Sequence, residues 1–349
     1  MRIAVVSPYA LDVPGGVQQQ VMGLIHHLRR GGDDAFAVAP AAGEGSDRID
    51  VGSWVGVRVN RSRAPVALSP AVVRRVIEAV STAEVVHVHE PLVPLVGWAA
   101  LAARKPTVVT FHADPSKTVR TAYRLSGRLL RRVLRGAVAT AVSRTAGGAI
   151  DPVRLRPEEI PNAIDVASFR VPVDRDTRQV AFVGRPDPRK GRDLLLAAWP
   201  EVRSQVGNAR LVIVGGGDEP PLEGARYLGR VSEEEKRTVL ATSAVFCAPN
   251  RGGESFGITV IEGMAAGCAV VASDLDAFSD VLAGSGLMFP NGDRSALSTA
   301  LVQILTDTGL RRRLAAQGSA RVADFDWRMV TDRYLALYRE AVALGPTAT

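Results

Sequence analysis

The chain opens with MRIAVVSPYALDVPGGV at residues 1–17, in which the apolar run Ile3 to Val6 is followed by a turn-rich loop and by Gly15 and Gly16. A short run rich in β-branched residues predicts a buried strand, and the amphipathic stretch 17–30 predicts a helix after the loop. Paired glycines at a helix entry let backbone N–H groups approach a phosphate, whose charge the helix dipole favours. The loop lacks the G-x-G-x-x-G spacing of dinucleotide-binding proteins, which counts against a nicotinamide enzyme.

This alternation of strand and helix occurs twice along the chain. The first half has predicted strands at 3–6, 35–38, 57–59, 84–89, 107–111 and 138–142, with helices at 17–30, 70–81, 93–104 and 119–134. A Pro-, Arg- and Glu-rich break at 152–172 precedes strands at 180–184, 210–214, 244–248 and 269–273 and helices at 194–206, 233–241, 256–266 and 295–316. Strands that are apolar on both faces and alternate with helices indicate parallel sheets with right-handed crossovers.

The predicted fold class is therefore α/β, with two Rossmann-like, doubly wound parallel-sheet domains that face each other across a cleft. We predict an N-terminal domain over 1–168 and a C-terminal domain over 169–326. A last helix over 327–344 would complete the first domain. In sheets of this kind, ligands bind beyond the carboxyl ends of the strands, so the chemistry is sought in the loops at those ends.

Composition narrows the class of protein further. The 349 residues are enough for about two domains, and no apolar run approaches the ~18 residues that span a bilayer. The net charge is +7, but only four residues are lysine, and the aromatic content of 5% with no basic tail argues against nucleic acid as a partner. Cys247 and Cys268 lie in apolar stretches and are predicted to be buried thiols. We expect a cytoplasmic protein with anionic partners such as phosphates or acidic lipids.

Three cations follow a predicted strand in the second half. The segment GRPDPRKG at 184–191 places Arg185, Arg189 and Lys190 after a glycine at a strand end. A guanidinium can hold phosphate oxygens with two hydrogen bonds, and an ammonium adds a point charge. The alternative is an ordinary solvated loop in an arginine-rich protein.

The segment RGGESFGITVIE at 251–262 carries two carboxylates eight positions apart, Glu254 on a glycine-rich loop and Glu262 in the following helix. The backbone N–H groups of 255–258 are suited to an anion. Carboxylates accept hydrogen bonds from vicinal hydroxyl groups, so a sugar and a ribose are natural ligands. The alternative is one capping glutamate and one surface glutamate.

Three histidines follow or occupy predicted strands. His112 ends the strand 107–111, where an imidazole can bind a sugar hydroxyl or polarise a reacting group, although a purely structural role is equally open. His87 and His89 alternate on the preceding strand, and because no third ligand has a compatible spacing, we expect packing and hydrogen bonding rather than a metal. Asp274 and Asp276 resemble a D-x-D metal clamp but follow a strand in the second half, so we expect a structural role.

The stretch 119–135 predicts a basic amphipathic helix. Arginines recur at spacings of three and four, which places most of them on one side of the helix, with Leu125, Leu129 and Val133 on the opposite side. Such a helix can lie on an anionic membrane surface, or it can present a solvated face.

Together these residues resemble glycosyltransferase family 4, the retaining nucleotide-sugar enzymes of GT-B fold. The marks of the resemblance are Glu254 and Glu262 within GGESFGITVIEGMAAGCAVVAS, the PGG loop, the Arg185 and Lys190 pair, and IPNAID at 160–165. Within the family, the chain is similar to actinobacterial enzymes that transfer mannose from GDP-mannose to phosphatidyl-myo-inositol. PYALDVPGGVQ, HVHEP, TFHADPSKT and APNRGGESFG carry that similarity.

The resemblance implies a role for each matching residue. Glu262 would bind the ribose, Glu254 the transferred sugar, and His112 would lie beside the reacting carbon, with His112, Arg185, Lys190 and Glu254 as the catalytic set. No metal or resident cofactor is implied, because the nucleotide sugar is a co-substrate. The implied donor-binding set is Gly15, Gly16, Arg185, Lys190, Glu254, Ser255, Phe256, Gly257, Ile258 and Glu262, and the implied acceptor-binding set is Tyr9, Gln18 and Lys117, with Lys117 meeting an inositol phosphate.

Three positions depart from the pattern of the mannosyltransferases. Leu92 replaces an asparagine, Ala113 replaces a threonine, and Ile77 and Glu78 remove much of a basic face from the helix 70–81. The sequence therefore predicts a hexosyltransferase acting on a phosphatidylinositol-like or other hydroxyl acceptor, located in the cytoplasm at the inner face of the plasma membrane. The alternatives are a UDP-sugar donor with another small-molecule or lipid acceptor, a sugar-nucleotide epimerase or hydrolase, and a non-catalytic binding protein.

Overall fold

A computed structural model of the chain describes residues 1–43, 45–59, 62–113, 117–148, 150–216 and 220–347. It contains two compact units, which we call unit 1 (residues 1–163 and the segment from Trp327 onward) and unit 2 (Ile164–Asp326). Unit 1 ends at Ala163, where the backbone N–H and carbonyl both bond to the side-chain amide of Gln20, at 2.8 and 2.9 Å. At the next residue, the Ile164 N–H donates to the Phe325 carbonyl of unit 2.

Unit 1 is built on a seven-stranded sheet. Its elements are β1 (Arg2–Val6), α1 (Gly16–Arg30), β2 (Asp34–Ala39), β3 (Arg48–Asp50), β4 (Val55–Val59), β5 (Ser62–Val66), α2 (Ala71–Val80), β6 (Val85–His89), α3 (Val96–Ala102), β7 (Thr107–Phe111), α4 (Lys117–Val133), β8 (Val138–Ala141), α5 (Arg144–Gly148), β9 (Glu158–Glu159) and α12 (Trp327–Leu344). The strand order is β3-β2-β1-β6-β7-β8-β9, with every neighbouring pair parallel. The order reverses between β1 and β6, and such a switch point is where open α/β sheets bind ligands.

The predicted strand at 57–59 does not join this sheet. It lies in β4, which pairs antiparallel with β5 as a separate hairpin. The physical reason is visible in the exposure: Val55 is 46% exposed, whereas the central strands β6 and β7 of the parallel sheet are buried along their whole length. The hairpin is joined to the loop after β1, because the Ala10 N–H donates to the Pro65 carbonyl at 2.9 Å and Tyr9 bridges to Val66.

The C-terminal helix α12 belongs to the core of unit 1. Tyr338 is fully buried there among β-strand and α1 side chains that include Val5, Ile25 and Leu28. Its hydroxyl lies 2.8 Å from Nδ1 of His87 on β6. At the start of α12, the Trp327 ring stacks on His27 of α1, with 5.2 Å between the ring centroids.

Unit 2 is built on a six-stranded parallel sheet. Its elements are β10 (Asp176–Val183), α6 (Arg192–Gln205), β11 (Arg210–Val214), β12 (Ala225–Tyr227), α7 (Glu233–Thr242), β13 (Ser243–Ala248), α8 (Ile258–Ala265), β14 (Ala269–Ser273), α9 (Asp276–Leu282), β15 (Gly286–Phe289), α10 (Arg294–Thr306) and α11 (Thr308–Arg321). The strand order is β12-β11-β10-β13-β14-β15, so the switch point lies between β10 and β13. The predicted helix 295–316 is in fact two helices, because the Asp307 carboxylate accepts from the Leu310 N–H at 2.8 Å and caps α11.

The sequence predicts that both cysteines are buried thiols and that no apolar segment is long enough to span a bilayer. Cys247 and Cys268 are both free thiols in the interior, and burial raises the pKa of both, that of Cys268 to about 11. Thiols of this kind are poor nucleophiles because little thiolate is present. No helix in the described part of the chain combines the length and apolar character needed to cross a bilayer.

We predict that Gly23→Val loosens α12 from unit 1. A Cβ at position 23 would lie 2.2 Å from the Trp327 ring, which is buried, so the larger side chain must displace it. Overpacking of this kind costs about 1–3 kcal/mol. Urea unfolding followed by circular dichroism measures the loss. Gly207→Val is the matched control, because no atom lies within 4 Å of a Cβ there; equal stability of the two variants would contradict the prediction.

Candidate active site

Two loops of unit 2 meet at the switch point between β10 and β13. After β10 the chain turns through Gly191, whose φ of +68° is favourable only for glycine and whose Cβ would lie 1.7 Å from the Pro249 carbonyl oxygen. The loops are also joined directly, since the Arg251 N–H donates to the Arg189 carbonyl at 2.7 Å. This close approach brings the predicted phosphate loop against the loop that carries Glu254.

Lys190 and Glu254 form an ion pair at this junction. The Lys190 ammonium lies 2.7 Å from Oε2 of Glu254, and both side chains are mostly but not fully buried. The Asn250 amide donates to the same oxygen at 2.8 Å, and Asn250 is itself held by the Ser273 hydroxyl on its carbonyl. Lys190 and Glu254, both predicted to bind a donor, are therefore in contact. Oε2 of Glu254 accepts from both Lys190 and Asn250.

Glu262 lies in a second, deeper ion pair. Its Oε1 is 2.7 Å from the Lys236 ammonium, which also contacts the exposed Glu233 carboxylate at 2.8 Å. Burial alone lowers the pKa of Lys236, but the two carboxylates outweigh it and the pKa is raised. Burial raises the pKa of Glu262 while Lys236 opposes that shift. The second oxygen, Oε2, is buried with no partner among the described residues, so Glu262 has one acceptor free for a hydroxyl group.

The loop between the two glutamates has the backbone expected of an anion site. Gly257 precedes α8 with a φ of +110°, and a Cβ there would lie 2.8 Å from the Phe278 ring. Phe256 is buried against Phe325, with ring centroids 5.7 Å apart. These contacts hold the 255–258 segment at the start of α8, where helix N–H groups are not used within the helix.

The predicted phosphate ligand Arg185 lies at the same end of β10. Its side chain is exposed, and no hydrogen bond or ion pair ties it to another described residue. By contrast, Arg189 is held by Asp187, with its Nη2 2.6 Å from the carboxylate. Arg185 is therefore the exposed cation of this loop, whereas Lys190 is anchored by Glu254.

In unit 1, His112 follows β7 and is part of a buried chain of imidazoles. Its Nε2 lies 2.7 Å from Nδ1 of His89, and His89 stacks on His87 with centroids 4.3 Å apart. His87 bonds through Nε2 to Thr110 at 2.6 Å, and through Nδ1 to Tyr338 of α12. The packing and hydrogen-bonding interpretation of His87 and His89 is thus confirmed.

Burial keeps these imidazoles neutral. It lowers the pKa of His87 to about 3, and it lowers the pKa of His112 to about 4 against an opposing contribution from Asn162. Burial also lowers the pKa of His89 well below its ordinary value. His112 is consequently a hydrogen-bonding group near neutral pH rather than a cation.

Glu90 positions the segment that carries His112. It has a φ of +49°, and its Oε1 accepts from the N–H groups of His112 and Ala113, both at 2.7 Å. Burial raises its pKa. Burial raises the pKa of the Tyr9 hydroxyl well above its ordinary value, and the nearby charge of Glu90 raises it further.

The entry of α1 lies at the turn for which phosphate binding is predicted. Gly16 begins the helix and Gly15 precedes it, with no side chain capping the first N–H groups. A Cβ at Gly15 would lie 2.4 Å from Oε1 of Gln18, whose amide turns back to the Ala10 carbonyl at 3.3 Å. Lys117 begins α4, but its side chain lies outside the described residues, so its predicted contact with an acceptor stays a prediction.

The described residues contain no group of three His, Cys, Asp or Glu side chains arranged to hold a metal ion. Asp274 has a structural partner, the Asn291 N–H at 2.7 Å, and Asp276 lies in the first turn of α9.

Sequence reasoning missed four residues that hold the predicted ones in place: His89 as a partner of His112, Glu90, Lys236 and Asn250. Glu90 directly follows β6, and Asn250 is the second residue after β13. Both lie at the carboxyl ends of strands, where ligands bind, and that position in the sequence could have identified them. Lys236 carried no such signal, because it lies inside α7 and meets Glu262 only in the folded unit.

Comparisons with known proteins identify the fold and the family. Family models match both units: "Glycosyl transferase 4-like domain" over residues 15–163 and "Glycosyl transferases group 1" over residues 177–307. HepE from Anabaena, solved with UDP-glucose, has the same fold, with a TM-score of 0.77 and 15% identity over 97% of this chain and all of that one. The two parallel sheets with flanking helices are thus those of a GT-B glycosyltransferase.

Sequence relatives then give the family. A phosphatidyl-myo-inositol mannosyltransferase of Mycolicibacterium smegmatis is 37% identical over 99% of this chain and 95% of its own length. A GDP-mannose-dependent alpha-mannosyltransferase of Mycobacterium tuberculosis is 29% identical over 98% of this chain and 97% of its own length. The chain belongs to glycosyltransferase family 4, as its motifs predicted. The phosphatidyl-myo-inositol mannosyltransferases to which it is similar belong to the same family.

We predict that the stability of the protein falls as the pH drops from about 6.5 towards about 4. The unfolded chain takes up protons on its histidines below about pH 6.5, whereas the folded chain keeps His112 neutral down to about pH 4. Each buried histidine then contributes a slope of about 1.4 kcal/mol per pH unit. Urea unfolding at a series of pH values measures the slope.

A shallower slope in His112→Gln than in the wild type supports this account. The control is His26→Gln, which changes an exposed histidine outside the cluster. Stability that is flat across this pH range in the wild type would contradict it.

We predict that Lys236→Met destabilises unit 2 by about 3–5 kcal/mol, because it leaves the buried Glu262 carboxylate without its cation. Replacing both partners, in Lys236→Met/Glu262→Leu, should recover most of the loss. Denaturant unfolding measures both. Glu233→Gln is the matched control on the same lysine, and because Glu233 is 58% exposed the change should be under about 1 kcal/mol. A single variant as stable as the wild type would rule out this role for Lys236.

Proposed function

We propose that this chain is a retaining mannosyltransferase that moves mannose from GDP-mannose to a hydroxyl group of phosphatidyl-myo-inositol. The observation that carries the proposal is the 37% identity to a phosphatidyl-myo-inositol mannosyltransferase, which extends through both units. The GDP-mannose-dependent relative supports the choice of donor. The proposed location is the cytoplasmic face of the membrane that holds the lipid.

Unit 2 supplies the donor chemistry in this proposal. Lys190 and Arg185 neutralise the charge that gathers on the diphosphate as the bond to the sugar breaks. The free Oε2 of Glu262 accepts a hydrogen bond from the ribose, and the second oxygen of Glu254 does the same for mannose. Backbone N–H groups at Gly257 and Ile258 add to the phosphate site. Cationic side chains do the work here, so we propose no metal and no resident cofactor.

Unit 1 supplies the acceptor chemistry. Tyr9 and Gln18 follow β1 at the switch point of its sheet, and Lys117 matches a position for the inositol phosphate. His112, held neutral, bonds a sugar hydroxyl beside the reacting carbon without adding positive charge. No carboxylate is assigned as a covalent nucleophile. The acceptor hydroxyl attacks from the face that the phosphate leaves, and the leaving phosphate accepts its proton, so the anomeric configuration is retained.

We predict that mannose is transferred from GDP-mannose and not from UDP-glucose or UDP-N-acetylglucosamine, and only when phosphatidylinositol is supplied. Mass spectrometry of the extracted lipid detects the product, and activity should persist in EDTA. Lys190→Met should lower turnover by about 10²–10³, because one charge-stabilising donor is lost. Lys105→Met is the matched control, since the Lys105 ammonium bonds the Ala83 carbonyl away from these residues.

Three results would overturn the proposal. Transfer from a UDP-sugar would place the enzyme with other members of the family. Free mannose or an epimerised nucleotide formed without the lipid would indicate a hydrolase or an epimerase. Full turnover in Lys190→Met would remove the assigned diphosphate site.

A further inference from the structure

Two buried imidazoles of unit 1 share a single hydrogen bond. Nδ1 of His89 lies 2.7 Å from Nε2 of His112, and the two residues are 2% and 6% exposed. Burial lowers the pKa of both rings, so each is neutral near pH 7 and carries one N–H group. The proton in this bond belongs to only one ring, and its position fixes the tautomer of the other ring as well.

The surroundings of His89 decide which ring donates. If His112 donated, the N–H group of His89 would be at Nε2, which is buried and has no partner among the described residues. An N–H group that is buried without an acceptor is rare in folded proteins. The neighbouring His87 cannot accept it, because its Nδ1 bonds Tyr338 and its Nε2 bonds Thr110. If His89 donates through Nδ1 instead, its Nε2 is a bare nitrogen and no donor is left unpaired.

A second observation, at the other nitrogen of His112, favours the same tautomer. Because Nε2 of His112 faces His89, Nδ1 is the nitrogen left for any other partner. Burial lowers the pKa of His112 to about 4, and the Asn162 side chain opposes that shift, as an acceptor oxygen near a ring N–H group does. Oδ1 of Asn162 is buried and has no hydrogen-bond partner in the part of the chain that the structure describes. A proton on Nδ1 of His112 offers this oxygen a donor, whereas a bare nitrogen there would set two lone pairs against each other.

We propose that His89 is a positioning residue that fixes His112 as the Nδ1–H tautomer. His89 donates through Nδ1 to Nε2 of His112, and His112 consequently offers an N–H group, not a lone pair, to a sugar hydroxyl oxygen. The strand register supports this role, since His89 on β6 pairs with Thr110 on β7 and His112 follows Thr110 by two residues on the same side. The sugar in this assignment rests on the proposed function, whereas the tautomer does not.

Nitrogen NMR of the protein labelled with ¹⁵N-histidine, without donor or lipid, tests the tautomer directly. Two-bond ¹H–¹⁵N spectra distinguish a protonated ring nitrogen from a bare one, and the loss of signals in His112→Gln assigns the His112 ring. In the wild type, His112 should be protonated at Nδ1 and bare at Nε2. The opposite tautomer would overturn the inference, and this measurement does not depend on any variant of His89 folding.

Two variants of His89 separate its hydrogen bond from its bulk. His89→Asn keeps an N–H group close to the place of Nδ1, because the asparagine amide nitrogen overlays that atom, whereas His89→Leu keeps similar bulk without a donor. The Nδ1–H tautomer of His112 should persist in His89→Asn. In His89→Leu it should give way at least in part to Nε2–H, which is the tautomer that free histidine prefers. An unchanged His112 tautomer in His89→Leu would show that His89 does not fix it.

Turnover measures the consequence for the reaction. With GDP-mannose and phosphatidylinositol, His89→Leu should lower kcat by about 10²-fold and leave the KM for the donor unchanged, because a hydrogen bond made in the transition state is lost. His89→Asn should recover most of the lost turnover. His26→Gln, at an exposed histidine outside the cluster, is the matched control and should turn over as the wild type does.

Equal kcat in His89→Asn and His89→Leu, whether both are impaired or both are unimpaired, would overturn the inference in favour of a merely structural role. No transfer by the wild type would contradict the proposed function instead, and the NMR result would still decide the tautomer.

Discussion

The contact between Gly191 and the Pro249 carbonyl is the constraint on which the site in unit 2 depends. Parallel strands deliver their following loops to one edge of a sheet, but they do not by themselves make those loops touch. Because position 191 has no Cβ, the two backbones come together, and the Arg251 N–H bonds the Arg189 carbonyl. The ammonium of Lys190 then lies against the Glu254 carboxylate, so a cation and a carboxylate share one edge of the sheet.

The two units manage buried polar groups in different ways. In unit 2, each candidate carboxylate is paired with a lysine, Glu254 with Lys190 and the buried Glu262 with Lys236. In unit 1, burial lowers the pKa values of His87, His89 and His112, which bond one another and threonine and tyrosine hydroxyl groups, while Nε2 of His89 is buried without a partner among the described residues.

Helix α12 connects residues that are far apart in the chain. Its Tyr338 hydroxyl bonds His87 on a strand 251 residues earlier in the chain, and His87 in turn packs on His89, the partner of His112. The last helix therefore supports the imidazole that unit 1 presents after β7. A segment that the sequence marks only as amphipathic is thus linked to a candidate catalytic group.

Much of the fold was predictable, since strands apolar on both faces and separated by amphipathic stretches are local patterns. The motif residues Arg185, Lys190, Glu254 and Glu262 were also accessible, because glycine-rich loops after strands mark the ends where ligands bind. Two predicted elements differ in the structure. The 57–59 run pairs as a hairpin because its strand is half-exposed, and the 295–316 stretch forms two helices because Asp307 caps the second one. The short elements β3, β12, α9 and β15 were not predicted.

By itself, then, the sequence determined the class of the fold, the family and the identity of most candidate site residues, since these depend on local periodicity and on motifs. Only the tertiary structure decided which partners hold them: Lys236 on Glu262, Asn250 on Glu254, His89 on His112. It also decided that Leu125 and Leu129 face outward while Leu130 and Leu134 face the core. The Lys236–Glu262 and His89–His112 pairings join residues 26 and 23 positions apart, and such long-range packing leaves no local pattern from which to predict them.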